Sequence, residues 1–186
     1  APGTTDELDY GEEGEICISG PSIMLGYLNN KTETENVIHR HPDGTLWVHS
    51  GDIGRMDSDG FVYIKGRIKR MITLFNGHKI FPTHIESVLG HHPMVASCAV
   101  VGVNDTTHAQ GQLTLAVVEA KEQTLERLTA IKNELYEMCR QELEGPAKPY
   151  DIIFVESMPH TGMGKIDYLK LAEDYNNENR NETEAV

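Results

Sequence analysis

The sequence predicts an α+β chain in two parts. A strand-rich stretch reaches to about residue 66, and a compact unit follows it, with a mixed sheet of about three strands, flanking helices and a hairpin. Three observations carry this expectation. Between Gly14 and Gly66, short runs such as Glu15-Ile16-Cys17-Ile18-Ser19 alternate apolar and polar residues and are cut by glycine turns, which is the pattern of short strands. After residue 94 the apolar runs at 95–103, 112–120 and 152–155 read as buried strands. Between the last two of these runs, Leu125, Leu128, Ile131, Leu135, Met138 and Leu143 recur every three to four residues, forming one apolar face of an amphipathic helix.

In chain order, Gly14 to Gly20 predicts a strand and Pro21 to Leu28 a second extended piece. Lys31 to Ile38 predicts a helix, with Thr32 as its cap and Glu35 three residues on. Asp43-Gly44 turns the chain into Thr45 to Ser50, and Ser50-Gly51-Asp52 is expected as a small turn that presents a carboxylate at the strand's end. Asp57 to Gly60 is a further turn, feeding Phe61 to Ile64. Asn76-Gly77 between Met71–Phe75 and His78–Phe81 is a strong hairpin signal, and Pro82 opens a helix that ends near Gly90 and Pro93. Gly145-Pro146 stops the long helix, Asp167 to Ala172 forms a short closing one, and the polar tail from Tyr175 is expected to be disordered. The domain division is thus 1–68, 69–174 and a tail at 175–186.

A net charge of −13, with no basic stripe, argues against nucleic acid as the main partner and leaves room for a nucleotide, which needs only local positive groups. Cys17, Cys98 and Cys139 are odd in number and form no CxxC, which fits a reduced, cytoplasmic setting. No run reaches the length of a membrane span. The start lacks a methionine and enters almost directly into a strand, so part of a longer protein is expected.

The chemistry gathers in two stretches. Asp52 offers a carboxylate suited to ribose hydroxyls or to an Asx turn, and Arg67 a guanidinium suited to ligand oxygens or to a structural ion pair. Lys165 follows Thr161-Gly162-Met163-Gly164, a loop able to swing an ammonium toward developing negative charge or simply to leave it in solvent. A P-loop is excluded, because Pro159 stands at its first glycine and Ile166 where Ser or Thr must meet magnesium. His39, His41, His49, His91 and His92 lack a carboxylate or cysteine at ligand spacing, so they are read as surface and turn residues and no metal ligand is assigned.

Five motifs in order then resemble the adenylate-forming superfamily, which comprises acyl- and aryl-coenzyme A synthetases, amino-acid adenylation domains and firefly luciferase. They are Gly14 to Gly20 with Gly26-Tyr27, Trp47 to Asp52, Gly60 to Arg67, Gly77 to Ile80 with Ile85-Glu86, and Thr161 to Asp167. The resemblance implies the strand-rich end of a large adenylation domain to residue 68, followed by a small mobile domain. It also implies a two-step ligase, in which a carboxylic acid and ATP give acyl-AMP, and coenzyme A then displaces AMP, as in fatty acid metabolism. By that likeness Asp52 and Arg67 bind the nucleotide, Lys165 serves adenylation and Lys69 is the hinge of domain rotation. Gly77, His78 and Lys79 approach the pantetheine of coenzyme A after rotation. The magnesium ligands, phosphate loop and acyl pocket belong to the rest of the large domain, so this chain alone is expected to be inactive. Arg70 departs from the acidic residue frequent after the hinge, His84 from a glutamate and Gly162 from a proline. Two alternatives stand beside the synthetase: an adenylation domain loading a carrier protein, and a non-catalytic interaction module.

Overall fold

The computed structural model describes residues 3–105, 108 and 110–184, with the side chains of the last helix described through Asn177. The chain divides between Lys69 and Arg70 into two compact units, Ala1–Lys69 and Arg70–Val186.

The first unit contains β1 (Gly14–Ile18), α1 (Lys31–Val37), β2 (Ile38–Arg40), β3 (Leu46–Met56) and β4 (Val62–Arg67). The long strand β3 organises it, pairing antiparallel with β1 along one edge. Along the other edge it pairs first with β2, through residues 46–48, and then with β4, through residues 52–56. Ser50-Gly51-Asp52 is therefore a bulge inside β3 rather than a turn at a strand's end. Cys17 faces His49 and Glu15 faces Ile53, so three residues of β3 lie opposite the single Ile16. Gly51 takes φ +74°, a left-handed conformation that suits glycine.

Two other local expectations are corrected. Residues 21–28 contain turns but no strand, and Tyr27, in an isolated bridge with Asn30, donates its N–H to Thr34 Oγ1 at 2.9 Å. The cap of α1 is Asn30, whose Oδ1 accepts from the Glu33 N–H at 3.0 Å, because Thr32 already lies inside the first turn.

The second unit opens with the hairpin β5 (Ile72–Thr73) and β6 (Lys79–Ile80), followed by α2 (Pro82–Gly90), β7 (Val95–Asn104), β8 (Gln112–Ala120), α3 (Leu125–Glu142), β9 (Asp151–Val155) and α4 (Tyr168–Glu184). The three-stranded sheet β7-β8-β9 is mixed, as expected: β7 and β8 run antiparallel, β8 and β9 parallel. Alternating residues of β7 and β8 face opposite sides. Val100, Ala116 and Val118 pack with Ile85 and Leu89 of α2 and with Ile131 and Leu135 of α3. Ala99, Val101, Leu115 and Val117 pack with Met158 and with Leu171 of α4. Burial on both faces explains why these strands read as continuous apolar runs.

The last helix is longer than expected. It continues past Ala172 to Glu184, through residues assigned to a disordered tail. Tyr175 joins the apolar cluster beneath the sheet, and Asn176 Oδ1 accepts from the Asn104 N–H at 2.9 Å. Leu171, Ala172 and Tyr175 place apolar groups on one side of successive turns, so this segment has a face to bury.

Candidate functional site

In the first unit, Asp52 and Arg67 face each other across β3 and β4. Arg67 Nε donates to Asp52 Oδ1 at 2.8 Å, and an Arg67 terminal nitrogen donates to the Ser50 carbonyl at 3.1 Å. The Asp52 N–H donates to Ser50 Oγ at 3.0 Å. The pair is a structural ion pair that leaves a partly exposed carboxylate and an exposed guanidinium side by side.

Glu15 fixes the bulge beneath them. One carboxylate oxygen accepts from the Gly51 N–H at 3.0 Å, and the other lies 3.0 Å from His49 Nδ1 and accepts from the Gly3 N–H. Burial acts to raise the pKa of Glu15, but these hydrogen bonds and the His49 imidazole outweigh it, and the carboxyl titrates below its ordinary value. His49 is buried, not a surface or turn residue, and its Nε2 lies 3.1 Å from His41 Nε2. Glu15, Cys17 and His49 bring one donor atom each within 4.8 Å of one another, a cluster invisible in the spacing because it joins two strands. Its carboxylate and imidazole are already engaged by hydrogen bonds, so the network is satisfied without an ion. His92 is likewise buried, with Nε2 2.8 Å from Glu134 on α3.

In the second unit, Lys165 closes a tight turn. Gly164, at φ +76°, donates its N–H to the Thr161 carbonyl at 2.8 Å, and the Thr161 N–H donates to the Lys165 carbonyl at 2.7 Å. His160 and Ile166 form an antiparallel bridge at the base of this turn. Lys165 is exposed. Gly77, His78 and Lys79 are exposed at the hairpin end, where Asn76 Oδ1 accepts from the His78 N–H. Lys69 ends the first unit with its ammonium almost wholly in solvent, 4.0 Å from Glu33.

Arg70, marked in the sequence only as a departure, has a defined place. Its guanidinium makes two hydrogen bonds to the carboxylate of Glu86, a third at 3.4 Å to the Val100 carbonyl, and lies 3.7 Å from the centre of the Tyr168 ring. Glu86 Oε1 also accepts from the Val100 N–H at 2.8 Å. Sequence reasoning missed Glu15, Arg70 and Tyr168 as partners in these networks. The one signal was an acidic residue on a short strand in the first case and an acidic residue within an amphipathic helix, Glu86, in the second.

Residues 84–165 match the family model described as the AMP-binding enzyme C-terminal domain. The chain is 38% identical over 164 residues to a medium/long-chain-fatty-acid–CoA ligase of Mycobacterium tuberculosis, covering 86% of this chain and 27% of that protein. It is 37% identical over 167 residues to a 2-succinylbenzoate–CoA ligase of Listeria monocytogenes, covering 90% of this chain and 33% of that one. Among solved structures, ATP-bound MatB of Rhodopseudomonas palustris superposes with a TM-score of 0.75 at 28% identity, over 94% of this chain and 33% of that one. The chain thus spans about a quarter to a third of the length of these relatives. Residues 84–165 thus match the AMP-binding enzyme C-terminal domain, and most of the chain is similar to part of enzymes named as CoA ligases and to part of ATP-bound MatB.

Proposed function

We propose that this chain is part of an ATP-dependent acyl-coenzyme A synthetase. In the first step a carboxylate oxygen attacks the α-phosphorus of ATP, forming acyl-AMP and expelling pyrophosphate. In the second, the thiol of coenzyme A gives up its proton, sulfur attacks the acyl carbon, and AMP leaves. The observation that carries the reading is the Asp52–Arg67 pair, a carboxylate poised for the two ribose hydroxyls and held in place by the guanidinium on the facing strand.

Lys165 supplies a positive charge to the phosphate and carboxylate oxygens as negative charge builds during adenylation, which its exposed position on a glycine turn allows. Lys69, at the division between the two units, is the hinge about which the small domain turns between steps. After that turn the Gly77-His78-Lys79 tip lies beside the pantetheine arm. Magnesium accompanies ATP on residues outside those assigned here, and the chain by itself is inactive. No helix among the described residues is long and apolar enough to cross a membrane. The three cysteines carry free thiols, which suits a cytoplasmic enzyme.

The test uses the full-length protein and assays the two steps separately. Lys165→Ala is expected to lose adenylation by roughly a hundredfold or more while thioester formation from supplied acyl-adenylate is spared. Lys69→Pro is expected to keep adenylation and lose the second step. Wild-type rates in both variants would overturn the assignment of both residues. Comparison of free coenzyme A with a pantetheine-bearing carrier protein as acceptor decides between the synthetase and a carrier-loading domain.

A further inference from the structure

Arg70 is the first residue of the second unit, and Tyr168 is the first residue of α4, three positions beyond Lys165. The Arg70 guanidinium spans the space between them. One side of its contacts is the carboxylate of Glu86 on α2 together with the carbonyl of Val100 on β7, and the other is the face of the Tyr168 ring. Arg70 and Glu86 are both largely buried, with side chains 22% and 15% exposed, so this is a shielded ion pair and not a surface one.

The Lys165 turn hangs between two anchors: the sheet side, where Met158 donates its N–H to Glu119 on β8, and the helix side, which starts at Tyr168. Arg70 ties the helix-side anchor to the residue at which the chain enters this unit. A planar guanidinium suits this task, since it can fork onto a carboxylate and still lie on an aromatic face, whereas an ammonium cannot do both.

We propose that Arg70 is a positioning residue that couples the entry point of the second unit to the Lys165 turn through Tyr168, so that the lysine is carried rigidly as the chain pivots at Lys69. This rests on the reading of Lys165 and Lys69 given above. Loss of the tie would leave Lys165 able to reach its site with looser aim. The cost would fall on the step that needs the lysine, since misplacement of a catalytic group by about an ångström is worth on the order of a hundredfold.

The experiment compares Arg70→Lys, Tyr168→Leu and Tyr168→Phe with wild type in the full-length enzyme, measuring adenylation, thioester formation from supplied acyl-adenylate, and melting temperature. Tyr168→Leu is the decisive variant, because it leaves the Arg70–Glu86 pair intact and so avoids an unpaired buried carboxylate. Arg70→Lys and Tyr168→Leu are expected to lower kcat for adenylation on the order of tenfold, with KM for ATP and the second step changed less than twofold. Tyr168→Phe keeps the ring face and is expected to behave as wild type. Equal losses in both steps that track a lower melting temperature would mean a merely structural contact and overturn the proposal, as would wild-type adenylation in Tyr168→Leu. If wild type itself forms no acyl-adenylate, the synthetase reading fails first, and that outcome is separable from the others.

Discussion

At the scale of single residues, the Asp52 carboxylate depends on a neighbour that never touches it. Glu15 holds the Gly51 N–H and the buried His49 ring, and those contacts shape the bulge from which Asp52 projects. If Asp52 accepts from the ribose hydroxyls as proposed, Asp52→Ala should raise KM for ATP about tenfold or more, since charge-assisted hydrogen bonds contribute about 1.5–3 kcal/mol each. Glu15→Gln keeps the size but loses the charge, and a smaller rise in KM for ATP is expected together with a loss of about 1–2 kcal/mol in unfolding free energy. Steady-state kinetics and denaturant titration of the full-length protein read both. An unchanged KM for ATP in Asp52→Ala would remove this residue from the nucleotide site. Asp52 and Arg67 stood out in the sequence because Ser50-Gly51-Asp52 and Gly66-Arg67 are short glycine-containing motifs that carry a charge. Glu15 did not, since its role comes from contacts made across a strand pair to residues 34 and 36 positions away.

At the scale of elements, strong periodicity made the second unit's core readable. The strand at Gln112–Ala120 was legible to its ends, and the long helix missed only at its cap, Leu143. Short elements were harder, because several residues satisfy the same local rule. Asn76-Gly77 predicts a hairpin, yet Gly77 alone takes positive φ, and the Gly77 N–H donates to the Leu74 carbonyl while the Leu74 N–H donates to the His78 carbonyl. The loop is therefore the three-residue form with a glycine bulge. Its neighbour Gly111 gives a sharp prediction. At φ +106°, an added Cβ would lie 2.4 Å from the backbone N and Cα of Phe75, which cannot move without dragging the hairpin. Gly111→Ala is expected to cost about 2–4 kcal/mol in urea unfolding. Gly77→Ala has the same kind of φ, +80°, but open space around the new methyl, and should cost about 1 kcal/mol. Equal losses in the two variants would refute the role assigned to the Gly111–Phe75 approach.

At the scale of the whole molecule, the two-part composition was visible as a change of pattern, from short alternating runs to long apolar ones, and the structure divides at Lys69 and Arg70. Contacts that cross most of a unit, such as Arg70 with Tyr168, leave no local trace. The same holds for the partly or fully buried titratable groups of the second unit, whose protonation couples its fold to pH. Burial, reinforced by Asp151, pushes the Tyr136 hydroxyl up to about 12, and burial together with Glu86 and Glu142 respectively pushes the Cys98 and Cys139 thiols up to about 11. Each raised value means that the folded state holds its proton more tightly than the unfolded chain. Their contribution to stability is therefore complete below the ordinary values of 10.0 for tyrosine and 9.0 for cysteine, and is lost as pH rises through about 11 to 12. Tyr136 is the one to test, since its hydroxyl donates to Asp151 at 2.7 Å and accepts from the Ile152 N–H at 3.2 Å, bridging α3 to β9. Tyr136→Phe removes both bonds and the titration together. The wild type should exceed it by about 1–2 kcal/mol in unfolding free energy near neutrality, and that margin should shrink steadily as pH climbs from about 10 toward 12. Urea unfolding of both proteins across this range measures it. A margin that stays flat or widens with pH would show that the hydroxyl keeps no extra hold on its proton in the fold.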